Sequence, residues 1–149
     1  MKRLIRETEK PSFPAQCRVL AEAAVLWALL AAGAQLLLPA EKTALPEGAA
    51  LAWAALRICL VTPLAEEFAF RGGALYLLQP LGGAGAVVVQ AVIFAALHGS
   101  WTAQAYALGM GLIFGWAAQK AKSVWPGSAL HIINNCLVFA ARLAERGMG

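Results

Sequence analysis

Apolar residues fill five long segments of this chain, and short polar or glycine-rich stretches separate them. The segments cover about residues 19–38, 49–78, 86–97, 103–119 and 126–143. One membrane-spanning helix needs about 20 apolar residues, and no Asp, Glu, Lys or Arg occurs between Gly72 and Gln119. More than one span must therefore lie in that stretch alone. The pattern predicts an all-α fold, a polytopic transmembrane helical bundle with about five spans.

Composition supports this class. Hydrophobic residues make up 60% of the chain and charged residues 13%, whereas soluble domains average roughly 25% charged residues. Basic residues crowd the N-terminus, at Lys2, Arg3, Arg6, Lys10 and Arg18. Because basic residues that flank spans are explained by membrane topology, the lipid bilayer is the expected partner, and nucleic acid is not.

The chain divides into a short tail and one membrane domain. Residues 1–16 are polar and basic, with Pro11 and Pro14. We expect residues 17–149 to form a single transmembrane domain, with the motif-bearing core at about residues 50–145. The first apolar segment is longer than the roughly 7–15 residues of a signal-peptide core, so we expect it to stay as an anchor. The second segment is long for one span, which predicts a tilt or a break at Pro63.

Two adjacent glutamates, Glu66 and Glu67, lie inside that second segment. An ionisable residue within a span is a functional-site hypothesis by default. Arg71 follows Glu67 by four residues, on the same helical face, which predicts an ion pair. The side chain of Glu66 points about 100° away, so one arginine does not easily satisfy both carboxylates. Glu66 is therefore the candidate general base.

Three further rare polar residues lie in other apolar segments. Glu66 and His98 stand at equal sequence distances on either side of Gly82, so antiparallel helices would place both roughly 20 Å from that turn. His131 and Asn135 share one face of the last helix at i and i+4. We expect all of them to approach one layer of the bundle. The alternative is that they only form hydrogen bonds between helices.

The motifs Glu66-Glu67-x-x-x-Arg71, Phe94-x-x-x-His98 and His131-x-x-x-Asn135, in this order, resemble those of the CPBP intramembrane protease family. This family, also called Abi, includes CAAX prenyl endopeptidases and bacteriocin-processing or self-immunity proteins. The similar region covers about residues 50–145. The resemblance implies an all-helical membrane fold and peptide-bond hydrolysis within or at the edge of the bilayer, which we expect to be a bacterial inner (plasma) membrane.

The resemblance also implies roles for these residues. Glu66 would be the general base, and His98 would help to hold the attacking water. His131 and Asn135 would position that water or stabilise the oxyanion, while Glu67 and Arg71 would support the site. Two His and a Glu are also zinc ligands in other proteins, but an asparagine would be an unusual fourth ligand. No metal cofactor is favoured, and zinc stays open.

The predicted substrate is a membrane-associated peptide or protein. The chain is short and leaves little room for a prenyl-binding extension, which favours a bacteriocin leader or a C-terminal sorting signal over a CAAX protein. Two alternatives stay open: a non-enzymatic bacteriocin-immunity or scaffold protein, in which the polar residues join helices, and a proton or ion pathway.

Basic residues predict the orientation of the bundle. The positive-inside rule places the N-terminus, the turn at Gly82 and the lysines at 120 and 122 on the cytoplasmic side. A distance of roughly 20 Å from the turn at Gly82, in a hydrocarbon core of about 30 Å, then puts the site nearer the outer face. This position favours an exported substrate over a cytoplasmic one.

Overall fold

The computed structural model describes residues 10–39 and 44–147, and within these ranges the chain is helical without strands. Five helices follow one another: α1 (Phe13–Leu37), α2 (Ala49–Leu77), α3 (Gly83–Ala96), α4 (Trp101–Ala121) and α5 (Trp125–Gly147). A short 3₁₀ turn, Gln79–Leu81, joins α2 to α3. The predicted all-α bundle is confirmed.

α1, α3 and α4 each begin at least two residues before the apolar segment predicted for them, and the starts of α1 and α4 have a local explanation. α1 begins at Phe13, inside the predicted tail, with Pro14 in its first turn, where a missing N–H does no harm. α4 begins at Trp101, since the hydroxyl of Ser100 accepts a hydrogen bond from the backbone N–H of Ala103 at 3.1 Å. The first nine residues of the predicted tail lie outside the described ranges.

The break expected at Pro63 is absent, since α2 runs through this buried residue. Two π-helical segments flank it instead, Arg57–Val61 and Phe68–Ala74. A π turn holds one more residue than an α turn, and such bulges absorb local irregularities of a helix, often at functional sites. Here they lie directly before and after the segment that carries the glutamate pair.

Small residues let α4 pack closely against its neighbours. A Cβ atom built at Gly111 would lie 2.8 Å from the Cβ of Ala91 on α3, and one at Gly109 would lie 2.7 Å from Leu30 on α1. A Cβ atom built at Gly115 would lie 2.5 Å from Gln90 Nε2 on α3. Close approach at glycines is typical of helix packing in membranes.

Polar contacts define the two ends of the bundle. At one end the indole of Trp125 donates to Gln16 at 2.7 Å, and the amide of Gln119 donates to the carbonyl of Gly83 at 2.8 Å. The start of α1, the Gly82 turn and the α4–α5 turn therefore share this end. Arg146, near the end of α5, donates to the connection before α2 at 3.0 Å. That connection lies at the opposite end.

The outer surface of α1 and α2 is apolar. Both helices have the length and hydropathy of a membrane span, and only 11% of each most apolar window is buried. Leu29, Leu36 and Leu37 are 67%, 85% and 82% exposed. α3, with 14 residues, is apolar but only about 21 Å long, shorter than a hydrocarbon core of about 30 Å. A large exposed apolar surface of this kind suits lipid rather than water.

Candidate active site

A buried ion pair lies at the centre of the bundle. Arg71 Nη1 is 3.0 Å from Glu67 Oε1, and both side chains are 0% exposed. The guanidinium lies over the ring of Phe94, 4.5 Å from its centroid, and 5.7 Å from that of Phe114. Aromatic faces attract a cation at such distances. The predicted i,i+4 pair is therefore present, inside an aromatic cage that excludes water.

His131 joins this ion pair to the second glutamate. Its Nδ1 lies 3.0 Å from Glu67 Oε1, and its Nε2 lies 3.6 Å from Glu66 Oε2. A carboxylate oxygen accepts, so Nδ1 carries the proton in this bond. In the neutral ring, Nε2 then presents a lone pair toward Glu66.

The two adjacent carboxylates have different surroundings. The side chain of Glu66 is 31% exposed, whereas that of Glu67 is 0% exposed. Glu67 is held by α2 itself and by His131 of α5. Glu66 is the member of the pair that water or a substrate can reach.

Gly127, which the sequence analysis did not single out, allows the close approach of Glu67 to α5. A Cβ atom at this position would lie 2.6 Å from Glu67 Oε2 and 3.3 Å from the Cβ of Phe114. Gly127 stands in the first turn of α5, where the helix dipole is positive and favours a carboxylate. The sequence signal for this contact was a glycine directly after Pro126. Its partner, Glu67, lies on another helix, so the signal did not reveal the contact.

His98 and Asn135 lie beside this cluster and bind backbone carbonyls. His98 Nδ1 donates to the carbonyl of Phe94 at 3.0 Å, and the two rings pack at 4.9 Å. The ring of Phe94 also packs against His131, at 6.1 Å. Asn135 Nδ2 donates to the carbonyl of Ile58 on α2 at 2.9 Å. Of the predicted residues, the structure joins Glu66, Glu67, Arg71 and His131 directly.

A zinc site, which the sequence left open, would need at least three donor side chains grouped together. Among the described residues, no three side chains of His, Cys, Asp or Glu are grouped as a metal ion would need. Both ring nitrogens of His131 face carboxylates, and the ring of His98 is turned to a carbonyl of its own segment. This cluster is therefore organised as a hydrogen-bonded acid–imidazole site.

A family model described as type II CAAX prenyl endopeptidase Rce1-like matches residues 48–137. The match extends from the start of α2 through most of α5 and contains all the residues of the cluster, while α1 lies outside it. No curated protein and no solved structure matches the chain. The matched region covers more than half of the sequence. The chain therefore belongs to the Rce1-like family of type II CAAX prenyl endopeptidases.

Proposed function

We propose that this protein is a glutamate-dependent intramembrane endopeptidase in which Glu66 is the general base. Its family is one of CAAX-type proteases. The assignment of the base rests on one observation. A single imidazole, His131, contacts a fully buried carboxylate with one nitrogen and faces a partly exposed carboxylate with the other.

The gap between Glu66 and His131 suits a water molecule. The 3.6 Å between Oε2 and Nε2 is longer than a direct hydrogen bond, and polar groups at this separation commonly share a water. With His131 neutral and protonated at Nδ1, both atoms accept, so one water would donate a proton to each and keep its lone pairs for attack. Glu67 holds the imidazole in the orientation that this requires.

Hydrolysis then follows from the groups present. As the water oxygen bonds to the scissile carbonyl carbon, Glu66 takes the water proton and the carbonyl oxygen becomes an oxyanion. Asn135 has a second amide hydrogen beside the one that binds Ile58, and we assign it to the oxyanion. Protonated Glu66 then gives its proton to the leaving amine as the C–N bond breaks. The products are a carboxylic acid and an amine.

His98 has a supporting role in this scheme. Its Nδ1 hydrogen is used by the carbonyl of Phe94, so in the neutral ring Nε2 can only accept. An acceptor suits the water and not the oxyanion. His98 is therefore assigned to holding water at the edge of the site.

The proposed substrate is a membrane-associated peptide or protein, either a bacteriocin leader or a C-terminal sorting signal. The proposed location is a bacterial inner membrane with the N-terminus in the cytoplasm. In this scheme the site lies inside a bundle whose surface is apolar, so a tethered substrate reaches it from the lipid phase.

Cleavage assays in proteoliposomes test the proposal. The probes are a prenylated CAAX peptide, its unprenylated counterpart and a single-span reporter, with products identified by mass spectrometry. Glu66→Gln should abolish cleavage, whereas Glu22→Gln, at a carboxylate 41% exposed, should leave it unchanged. Binding without any product in the wild-type protein would favour the scaffold alternative. Proton flux without product would favour the ion pathway.

A further inference from the structure

A chain of hydrogen bonds runs from α1 to Asn135. The indole of Trp27 donates to Asn134 Oδ1 at 3.2 Å, and the hydroxyl of Tyr106 donates to the same oxygen at 2.7 Å. Asn134 Nδ2 donates to Asn135 Oδ1 at 3.1 Å, and Asn135 Nδ2 donates to Ile58 O at 2.9 Å. Three helices thus converge on two adjacent amides of α5.

The chemistry of the first donor fixes the direction of the whole chain. An indole N–H only donates, and that of Trp27 lies 3.2 Å from both Tyr106 Oη and Asn134 Oδ1. Tyr106, which accepts from Trp27, donates its own hydrogen to Asn134, so the amide atom that faces this pair is the oxygen of Asn134. The NH₂ group of Asn134 then faces its neighbour, and Asn135 must present its own oxygen there. The NH₂ group of Asn135 is left pointing toward α2. Asn134 is buried, at 7% exposed, where an unpaired amide would be unfavourable.

We propose that Trp27 and Tyr106 are positioning residues of the active site, which act by fixing the orientation of the Asn135 amide. This inference rests on the proposed function, in which an N–H of Asn135 donates to the oxyanion. With the amide reversed, its oxygen would face the developing negative charge. Trp27 belongs to α1, outside the matched residues 48–137, so α1 contributes to the geometry of the site.

The double variant Trp27→Phe/Tyr106→Phe tests the proposal, since each single variant leaves one donor on Asn134. Loss of one oxyanion donor typically lowers kcat about 10²–10³-fold, so we expect the kcat of the double variant to fall about 100-fold. KM should stay within about twofold. Trp53→Phe/Tyr76→Phe is the matched control, because it makes the same chemical changes at side chains 61% and 70% exposed. The control should keep both constants.

An Asn135→Ala background separates positioning from general damage. There the double substitution should lower kcat by less than about twofold, because the group that it orients is gone. A full additional loss in that background, or an unchanged kcat in the wild-type background, would overturn the inference. Absence of cleavage by the wild-type protein would instead overturn the proposed function itself.

Discussion

Replacing Arg71 by methionine removes the guanidinium but keeps an apolar stem inside the aromatic cage. Glu67 is then left as a buried carboxylate with His131 as its remaining partner, while its Oε2 has no hydrogen-bond partner among the described residues. Breaking a buried pair from one side is far more harmful than removing both ions. We expect the free energy of unfolding to fall by about 3–5 kcal/mol.

The size of this effect follows from the geometry. At 3.0 Å and an effective dielectric constant near 20, the attraction is about 5.5 kcal/mol. Desolvation of both ions opposes this attraction, so the intact pair adds little to the free energy of unfolding compared with an apolar pair. A lone carboxylate, however, keeps its whole desolvation penalty. The double variant Glu67→Gln/Arg71→Met should therefore be more stable than Arg71→Met alone.

Unfolding by increasing SDS in mixed micelles, followed by tryptophan fluorescence, measures these differences. Lys120→Met is the control, because the Lys120–Glu22 pair has side chains 47% and 41% exposed. Exposed pairs contribute about 0–1 kcal/mol. If Arg71→Met and Lys120→Met lose equal stability, or if the double variant is no more stable than Arg71→Met, the account of a buried, mutually dependent pair is refuted.

Two other properties can be measured independently. Gly127→Ala should lower the free energy of unfolding by about 1–3 kcal/mol, because the new methyl group clashes with Glu67. Gly33→Ala, with open space around it, should be neutral or stabilising in thermal melts. Equal melting temperatures of the two variants would contradict the close approach. In a background without the three native cysteines, a membrane-impermeant thiol reagent outside intact cells should label Ala44→Cys and not Lys122→Cys, and the opposite pattern would reverse the predicted orientation.

Local features of the site could be predicted from the sequence. The pairing of Glu67 with Arg71 follows from i,i+4 spacing on one helix and is present at 3.0 Å. The same helical geometry predicts that Glu66 points away from Arg71, and Glu66 is the more exposed member of the glutamate pair. Such features depend on one helix only, which periodicity describes well.

Contacts between helices could not be predicted in the same way. Equal sequence distances from Gly82 placed His98 opposite Glu66, but that estimate assumed regular helices. α2 contains two π segments and is followed by a 3₁₀ turn. Each change of helix type alters the rise and rotation per residue. The ring of His98 packs on Phe94 of its own segment, and its place opposite Glu66 stays a prediction. The contact of Gly127 with Glu67 likewise depends on the seating of α5, which sequence spacing does not encode.

The single-turnover rate of Glu66→Gln shows whether Glu66, and not its buried neighbour Glu67, is the base. The Glu66→Gln variant is compared with the wild type at equal concentrations of folded protein, with a reporter that the wild type cleaves. If Glu66 is the base, the rate should fall about 10²–10⁴-fold, the usual contribution of a general base, while unfolding in SDS stays unchanged. Turnover within about tenfold of wild type would contradict this assignment.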